Sequence, residues 1–470
     1  MKIETLRLLR CPYCGQPLEC LESVQIGDEI EHGILECGCS NFPIVAGIPI
    51  FKRDGRLDLM SDTEDTVLRA GPPVRALLEL VRSRDFERAL LILLIPPLGL
   101  PVRLGRLAAL LPGRYRERFR DYVATAASAK RKRTYRTLMA QPATAVDVFD
   151  FFFRQLHLWR AEMYNYFAYR LGMPRHLAAL SLATLLPTSH KPILDLACGF
   201  GHLLHYWAMT RPGHPLIGLD RNFFLVWVAR EWMVPGADYV CADADQTLPF
   251  DRGSLSDAYC SDAFHYFFQK VQCVSELQRV VDEAGVIVLS RVGNVLVKRN
   301  EGRELKPEEY ANLFDDRHRR LVPDRALLDR YLGGRGPALA NPVPVEVLAG
   351  EKWLSLVASR NRSVFRDHGQ FETWPHGVGL LKINPLYDVH RSGAASDRLE
   401  LAFPSPGYEF ANADCLGYLP RRLEVSQEIF RDLETESRST GVRDLIRQCV
   451  VLGVPRRFCI VLTALLTGNG

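Results

Sequence analysis

The sequence lacks a long uninterrupted apolar run. Its most apolar part, residues 90–111, is broken by three prolines and two arginines. A helix that crosses a bilayer needs about 20 consecutive apolar residues. We therefore predict that this segment packs inside the protein, with a position on a membrane surface as the alternative. The first residues also contain no apolar core of signal-peptide length, so we expect a cytoplasmic protein.

The sequence also lacks a strong excess of either charge. Its 59 basic and 55 acidic residues leave a net charge of +4, which neither requires nor excludes a nucleic acid partner. One dense basic run, Lys130–Arg133, could bind phosphates of RNA or of an anionic lipid, although such runs are more often solvated helix faces. An apolar fraction of 47% indicates a globular protein, and 470 residues should form two or three domains.

Cysteine is unevenly distributed. Five of the twelve cysteines fall in the first forty residues, and the others are scattered among apolar neighbours. This pattern favours a metal site and reduced thiols over disulfides. Cys11 and Cys14 form a CxxC pair, and Cys37 and Cys39 form a CxC pair after an expected hairpin. Four thiolates brought together in this way would bind a structural Zn²⁺ ion.

The stretch Lys191–Gly201, KPILDLACGFG, predicts a short buried strand, a glycine-bracketed turn and then a helix. Glycine at 199 and 201 permits positive φ angles and lets a ligand approach the backbone. A third glycine in GxGxxG spacing and a GK[ST] motif are both missing, which argues against binding of a pyrophosphate or triphosphate. Asp195, just before the glycines, could receive an ammonium group.

The same strand-then-acid pattern repeats downstream. Residues 215–219 lead into Asp220, where a carboxylate can accept both hydroxyls of a ribose. A third strand at 239–241 leads into Asp243, and a fourth leads into Ser261. Strands that alternate with helices predict an α/β fold with a doubly wound sheet. An NAD-binding domain and an inactive α/β domain are the alternatives at this point.

Four motifs in this order resemble the class I S-adenosylmethionine-dependent methyltransferases, especially the branch that includes quinone-biosynthesis and natural-product enzymes. They are DLACGFG at 195–201, LIGLD at 216–220, ADADQTLPF at 242–250 and SELQRVVDEAGVIVLS at 275–290. The resemblance implies a doubly wound seven-stranded sheet and S-adenosyl-L-methionine as cofactor. It also implies these cofactor-binding residues: Asp195, Ala197, Gly199, Gly201, Asp220, Arg221, Asp243, Ala244 and Ser261.

Catalytic candidates follow the fourth strand. Methyl transfer requires alignment of the acceptor with the methyl group, and proton removal when the acceptor is a hydroxyl or an acidic carbon. His265 has an intrinsic pKa suited to a base, and Asp262 is a second candidate. In the resembled family a histidine here can instead pack on the cofactor. The segment has no Asn-Pro-Pro-Tyr type sequence, which disfavours adenine and glutamine-amide acceptors.

Residues 5–51 resemble a small zinc-ribbon family that includes the activating subunit of several tRNA, rRNA and release-factor methyltransferases. The cysteine pairs and the run FPIVAGIPI at 42–50 support this resemblance. The second pair is CxC where CxxC is usual. Cys20 or His32 could therefore replace one thiolate, and a segment without metal is a further alternative.

The domain organisation is predicted as five regions. They are a zinc-ribbon-like domain at 1–51, a linker at 52–73, a helical cap at 74–187, a methyltransferase domain at 188–361 and a C-terminal α+β module at 362–470. In the cap, Tyr164 and Tyr166 are expected either to close over the cofactor or to pack as part of an ordinary helix. Residues 321–332 are predicted as a helix, and 343–348 with 353–359 as the final hairpin of the sheet. The C-terminal module resembles no family, and acceptor binding and a dimer contact are both open to it.

The predicted function is transfer of a methyl group to oxygen or carbon of a small or lipid-like acceptor. An RNA or protein methyltransferase with a fused ribbon activator is one alternative, suggested by the relatives of the ribbon and by the basic run. An inactive scaffold that binds the cofactor is the other.

Overall fold

The computed structural model describes most of the chain. The described residues are 1–58, 70–95, 112, 113, 115, 118, 119, 129, 130, 132–137, 139, 140, 144–152, 161–187, 189–297, 303–314, 316–391 and 396–458. Within the predicted helical cap, residues 104–111 and most of 115–127 lie outside these ranges, as does Arg131 of the basic run. No helix in the described ranges has the length and apolar character needed to cross a bilayer.

The described strands and helices are numbered in chain order. The strands are β1 (Glu19–Ile26), β2 (Glu29–Cys37), β3 (Ser40–Val45), β4 (Ile48–Pro49), β5 (Arg56–Asp58), β6 (Ala70–Pro73), β7 (Ile193–Leu196), β8 (Leu216–Asp220), β9 (Asp238–Cys241), β10 (Asp257–Ser261), β11 (Val286–Gly293), β12 (His318–Pro323), β13 (Trp353–Ser359), β14 (Leu380–Ile383), β15 (Tyr387–His390), β16 (Ser396–Leu401), β17 (Arg422–Ser426) and β18 (Val451–Val454). The α-helices are α1 (Ile3–Leu6), α2 (Val74–Arg82), α3 (Phe86–Leu94), α4 (Ala145–Asp150), α5 (Ala161–Tyr169), α6 (Pro174–Ala183), α7 (His202–Thr210), α8 (Phe223–Val228), α9 (Lys270–Val280), α10 (Pro307–Asn312), α11 (Asp324–Leu332), α12 (Val345–Gly350), α13 (Pro406–Asn412), α14 (Gln427–Glu434) and α15 (Thr440–Arg447).

Seven strands form the central sheet, in the order β12-β13-β11-β10-β7-β8-β9. The five strands from β11 to β9 in this order are mutually parallel, whereas β13 runs antiparallel to both of its neighbours. All four residues of β7 are buried, as expected for a parallel strand covered on both faces. The predicted doubly wound, seven-stranded α/β sheet is confirmed.

The closing strands of this sheet differ from the prediction. Residues 345–350 form helix α12 rather than a strand, and β12 at 318–323 occupies the place expected for it. Val345-Glu-Val-Leu348 alternates like a strand, but Pro344 precedes it at the N-cap with φ −55°, an angle that suits the start of a helix. The helix predicted from 321 begins only at Asp324, after Pro323.

The N-terminal region forms an antiparallel four-stranded sheet, β1-β2-β3-β4, that docks on the edge of the central sheet. Ile50 forms a parallel bridge with Cys241 of β9, and the Phe51 amide donates to the Cys241 carbonyl over 2.8 Å. Asp238, at the start of β9, accepts hydrogen bonds from the Lys2 amide (2.8 Å) and the Thr5 hydroxyl (2.5 Å). The ribbon region thus covers an edge strand that would otherwise present unpaired backbone groups.

The C-terminal region packs on the central domain instead of standing apart. β14 pairs with β18, and β15, β16 and β17 form a second small sheet. His376 hydrogen-bonds the Tyr331 hydroxyl of α11 and the Ile446 carbonyl of α15. One hydrophobic cluster contains Val45 and Leu452 together with most of the buried cap residues. The predicted regions therefore share a core, while their boundaries stay predictions.

Candidate active site

A cavity of about 740 Å³ opens where β7, β8, β9 and β10 end. The strand order reverses at β7, because β8 and β9 lie on one side and β10 and β11 on the other. Such a switch point is where open α/β sheets bind ligands. The cavity walls come from the loops after these strands, from the segment 163–175 and from residues 405–412 of the C-terminal region.

Tyr166 of α5 closes over the glycine turn. Gly199 has φ +53°, and a Cβ atom added there would lie 2.5 Å from the Tyr166 hydroxyl. Burial raises the pKa of Tyr166, so the side chain is a neutral phenol at physiological pH. Tyr164, its predicted companion, is not among the residues that line the cavity.

Asp220, the last residue of β8, forms a hydrogen bond with the glycine turn. One carboxylate oxygen accepts from the Gly199 amide over 3.0 Å, and the other accepts from the Asn222 amide over 2.9 Å. The side chain is buried, which raises its pKa, although these two amides oppose the shift. The carboxylate is therefore fixed at the cavity wall, and Asp243 and Ala244 line the cavity after β9.

Three arginines surround Asp262 at the end of β10. The Asp262 carboxylate lies 2.7 Å from Arg170 Nη1, 3.0 Å from Arg291 Nε and 3.4 Å from Arg175 Nη1. Burial alone would raise the pKa of Asp262, but the three guanidinium groups hold it well below its ordinary value. A carboxylate stabilised this strongly is a poor proton acceptor, so the geometry argues against Asp262 as a base.

The segment that carries the glycine turn and the acids at the ends of β8 and β9 is similar to known proteins. Residues 194–289 match the family model described as a methyltransferase domain. The segment 194–289 is thus a methyltransferase domain of the S-adenosylmethionine-dependent class. A malonyl-[acyl-carrier protein] O-methyltransferase from Legionella pneumophila subsp. pneumophila is 26% identical over 131 residues, which are 27% of this chain and 46% of that protein. The match thus spans less than half the length of that relative.

Solved methyltransferase structures are also similar. The complex between the Haloferax volcanii Trm112 methyltransferase activator and a methyltransferase matches with 21% identity, covering 42% of this chain and 96% of that chain, at a TM-score of 0.32. A SAM-dependent methyltransferase from Aquifex aeolicus matches with 14% identity, covering 40% of this chain and 94% of that chain, at a TM-score of 0.30.

Most of the predicted cofactor-binding residues line the cavity of the methyltransferase domain. They are Ala197, Gly199, Asp220, Arg221, Asp243, Ala244 and Ser261. Asp195 and Gly201 do not line it. Asp195 is buried within β7, and burial, reinforced by Asp220, raises its pKa well above the ordinary value. Gly201 is the N-cap residue of α7 with φ +75°. The cofactor role of both residues stays a prediction.

His265 lies outside the cavity lining. It is 3% exposed in the 3₁₀ turn Phe264–Tyr266, and its ring packs 4.1 Å from the Tyr266 ring and 5.4 Å from the Trp353 ring. Because of this tight turn, Tyr266 and Phe267 line the cavity, and His265 does not. No histidine occurs among the described residues that line the cavity, so the structure offers no support for His265 as a base.

The four predicted metal ligands come together near the N-terminus. The Sγ atoms of Cys11, Cys14, Cys37 and Cys39 all lie within 4.8 Å of one another, and the closest pairs are 3.3–3.8 Å apart. Zinc–sulfur bonds of about 2.3 Å in a tetrahedron place sulfur atoms about 3.8 Å apart, so the cluster fits zinc.

The two substitute ligands considered from the sequence lie elsewhere. His32 stacks on Phe86 with ring centroids 4.1 Å apart, and the Cys20 sulfur lies against Gly33. Neither belongs to the four-thiol cluster. Each cysteine that the structure describes is a free thiol.

One part of the cavity wall, formed by Arg170, Arg175 and Tyr408, was not predicted from the sequence. Arg170 and Arg175 lie outside every motif, and their common partner Asp262 is 92 and 87 positions away. Tyr408 comes from the C-terminal module, and its hydroxyl donates to the Met173 sulfur over 3.0 Å. No local pattern marks these residues, because only the fold brings them together.

Proposed function

We propose that this protein transfers a methyl group from S-adenosylmethionine to oxygen or carbon of a small or lipid-like acceptor. The observation that carries the proposal is the placement of Gly199, Asp220, Asp243 and Ala244 around one cavity at the switch point of the sheet. A volume of about 740 Å³ lies within the ordinary range for sites that bind small molecules. The name of the Legionella relative, an O-methyltransferase, also agrees with an oxygen acceptor.

The residues of the chain contribute mainly binding and alignment. The Asp220 carboxylate suits the ribose hydroxyls, and the bare backbone at Gly199 permits close approach of the ligand. Tyr166 covers the turn and excludes water. When bound, the sulfonium cofactor supplies an activated methyl group, so in-line alignment of the acceptor is the main demand on the protein.

The described part of the basic run does not support RNA as acceptor. The described members of the basic run, Lys130, Lys132 and Arg133, do not line the cavity. An RNA methyltransferase would need a basic path from such a run to the cavity, and the small-molecule proposal needs none.

The ribbon region supports the cofactor site through a structural zinc ion. The four cysteines would hold Zn²⁺ as thiolates and leave no open position for catalysis. A second cavity of about 430 Å³ lies beside the first, and it is lined by Ile50 and Phe51 of this region, by residues 52–54 that follow it, and by Arg221, Ala242 and Asp243. Loss of zinc should therefore weaken cofactor binding as well as folding of the ribbon.

Titration calorimetry with S-adenosylhomocysteine tests the proposal. The wild-type protein should bind with a stoichiometry of one, and Asp220→Ala should abolish binding. Asp329→Ala is the matched control, because Asp329 lies on α11 with a side chain that is 68% exposed. The proposal fails if the wild-type protein does not bind S-adenosylhomocysteine, or if Asp220→Ala binds it with unchanged affinity.

A further inference from the structure

The arginine cluster carries more positive charge than its partners neutralise. Arg170, Arg175 and Arg291 meet two carboxylates, Asp262 and Asp324, among the described residues. Burial raises the pKa of Asp324 to about 6, so both carboxylates are ionised at neutral pH and one positive charge is left over. Uncompensated charge in a partly buried site is costly, and an anionic ligand would remove that cost.

Arg175 is the arginine best placed to receive such an anion. Arg170 makes the short contact to Asp262 and lies 5.4 Å from the Tyr166 ring, and Arg291 lies 4.2 Å over the Trp353 ring. Arg175 makes only a 3.4 Å contact to Asp262, lines the cavity and keeps 35% of its side chain exposed. Its guanidinium therefore has donors to offer to a ligand in the cavity.

Each acid of the described lining accepts hydrogen bonds or an ion pair from the protein, and such partners favour the charged carboxylate over the protonated one. Asp220 accepts two backbone amides, Asp243 accepts from the Asp245 amide, and Asp262 is held by the arginines. A hydroxyl or carbon acceptor would have to lose a proton to such a base.

Tyr166, Tyr266 and Tyr408 line the cavity, and a tyrosine, with an ordinary pKa of about 10, is not a ready base at physiological pH. Burial raises the pKa of Tyr408 to about 12 and that of Tyr166 further still. Both remain protonated at physiological pH. An acceptor that already carries its negative charge would need no base, and carboxylic acids, with an ordinary pKa of about 4, meet this condition.

We infer that the acceptor is a carboxylate, that Arg175 binds it, and that one of its oxygens receives the methyl group. This inference rests on the proposed function. Arg175 would hold one oxygen while the other attacks the methyl carbon in line with the sulfur. The oxygen–carbon bond forms as the carbon–sulfur bond breaks, and the electron pair of that bond stays on sulfur. The products are a methyl ester and S-adenosylhomocysteine, and no proton is transferred.

The chemistry of methyl esters gives a test that does not require the acceptor to be known. The protein is incubated with methyl-labelled S-adenosylmethionine and an extract of its own cells, and label transferred without added protein is subtracted. Mild alkali releases labelled methanol from methyl esters but not from ethers, amines or carbon-bound methyl groups. We expect the transferred label to be released as methanol.

Variants of Arg175 test its role in the same assay. Arg175→Gln should lower the base-labile label roughly ten- to hundredfold, since a hydrogen bond to a charged group is lost. Arg175→Lys keeps the charge but not the planar guanidinium group, so its base-labile label should lie between those of the wild-type protein and Arg175→Gln. Arg325→Gln is the matched control, because Arg325 lies on α11 with a side chain that is 80% exposed. Titration with S-adenosylhomocysteine, run on each variant, should show unchanged affinity.

The outcomes separate this inference from the proposed function. Absence of S-adenosylhomocysteine binding in the wild-type protein would overturn the proposed function itself. Transferred label that resists alkali would overturn the carboxylate acceptor and leave methyl transfer standing. Weaker S-adenosylhomocysteine binding by Arg175→Gln would show that Arg175 holds the cofactor's own carboxylate, and full base-labile transfer by that variant would remove Arg175 from acceptor binding.

Discussion

Replacing Gly199 by alanine tests the close contact between the glycine turn and Tyr166. The new Cβ atom would lie 2.5 Å from the Tyr166 hydroxyl oxygen. The residue also has φ +53°, and the left-handed conformation costs an alanine about 1–2 kcal/mol. Displacing the tyrosine adds a cost typical of overpacking, about 1–3 kcal/mol. We therefore expect Gly199→Ala to lower the free energy of unfolding by roughly 2–5 kcal/mol.

Two further variants separate the cost of the left-handed backbone from the cost of overpacking. Gly213 has φ +80° with no atom within 4 Å of an added Cβ, so Gly213→Ala measures the backbone cost alone. Adding Tyr166→Phe to Gly199→Ala removes the clashing oxygen, and the next tyrosine atoms then lie at an ordinary 3.4 Å. The double variant should recover the overpacking part, about 1–3 kcal/mol. It should also recover binding of S-adenosylhomocysteine relative to Gly199→Ala.

Urea unfolding of the four proteins in the absence of ligand provides the measurement, with titration calorimetry for the ligand. The reasoning is refuted if Gly199→Ala and Gly213→Ala cost the same. It is equally refuted if Tyr166→Phe fails to improve Gly199→Ala, since the tyrosine oxygen would then not be the obstacle.

Three other changes test separate parts of the structure. Cys37→Ser should abolish bound zinc, measured by atomic emission, whereas Cys20→Ser should retain it; zinc retained in Cys37→Ser would contradict the assigned site. His265→Ala should lower methyl transfer less than about tenfold, because loss of a true general base costs about 10²–10⁴-fold; a loss in that larger range, with normal S-adenosylhomocysteine binding, would restore His265 as the base. Arg230 binds Glu29 and Glu31 of the ribbon region as well as Glu231. Arg230→Ala should therefore destabilise the protein by about 3 kcal/mol in urea unfolding, and a change below about 0.5 kcal/mol would show that this contact does not hold the ribbon in place.

The parts of the fold that sequence predicts well are those with a local pattern. The strand, glycine turn and helix at 193–210 follow one another as expected, because continuous apolar strands and paired glycines leave few other conformations. The segment 345–348 shows the limit of this reasoning. It alternates like a strand but forms a helix, since β11 and β12 already pair with both edges of β13, the strand that it was predicted to join. Pairing between distant strands is not visible in a local pattern.

The candidate site divides in the same way. Asp220 and Asp243 follow buried strands, so their positions at the cavity could be read from the sequence. The arginines around Asp262 could not, because they approach it from segments far away in the chain. His265 was predicted to lie in the site, but the 3₁₀ turn that contains it places Tyr266 in the cavity lining instead. The sequence does not show which side chain of such a turn lines the cavity.

The most direct test of the central claim is a crystal structure of the protein grown with S-adenosylhomocysteine. We expect the ligand in the cavity at the switch point, with its ribose hydroxyls on the Asp220 carboxylate and its adenine beside Asp243 and Ala244. A ligand bound elsewhere on the chain, or a cavity that takes up a nicotinamide dinucleotide and rejects S-adenosylhomocysteine, would contradict the claim.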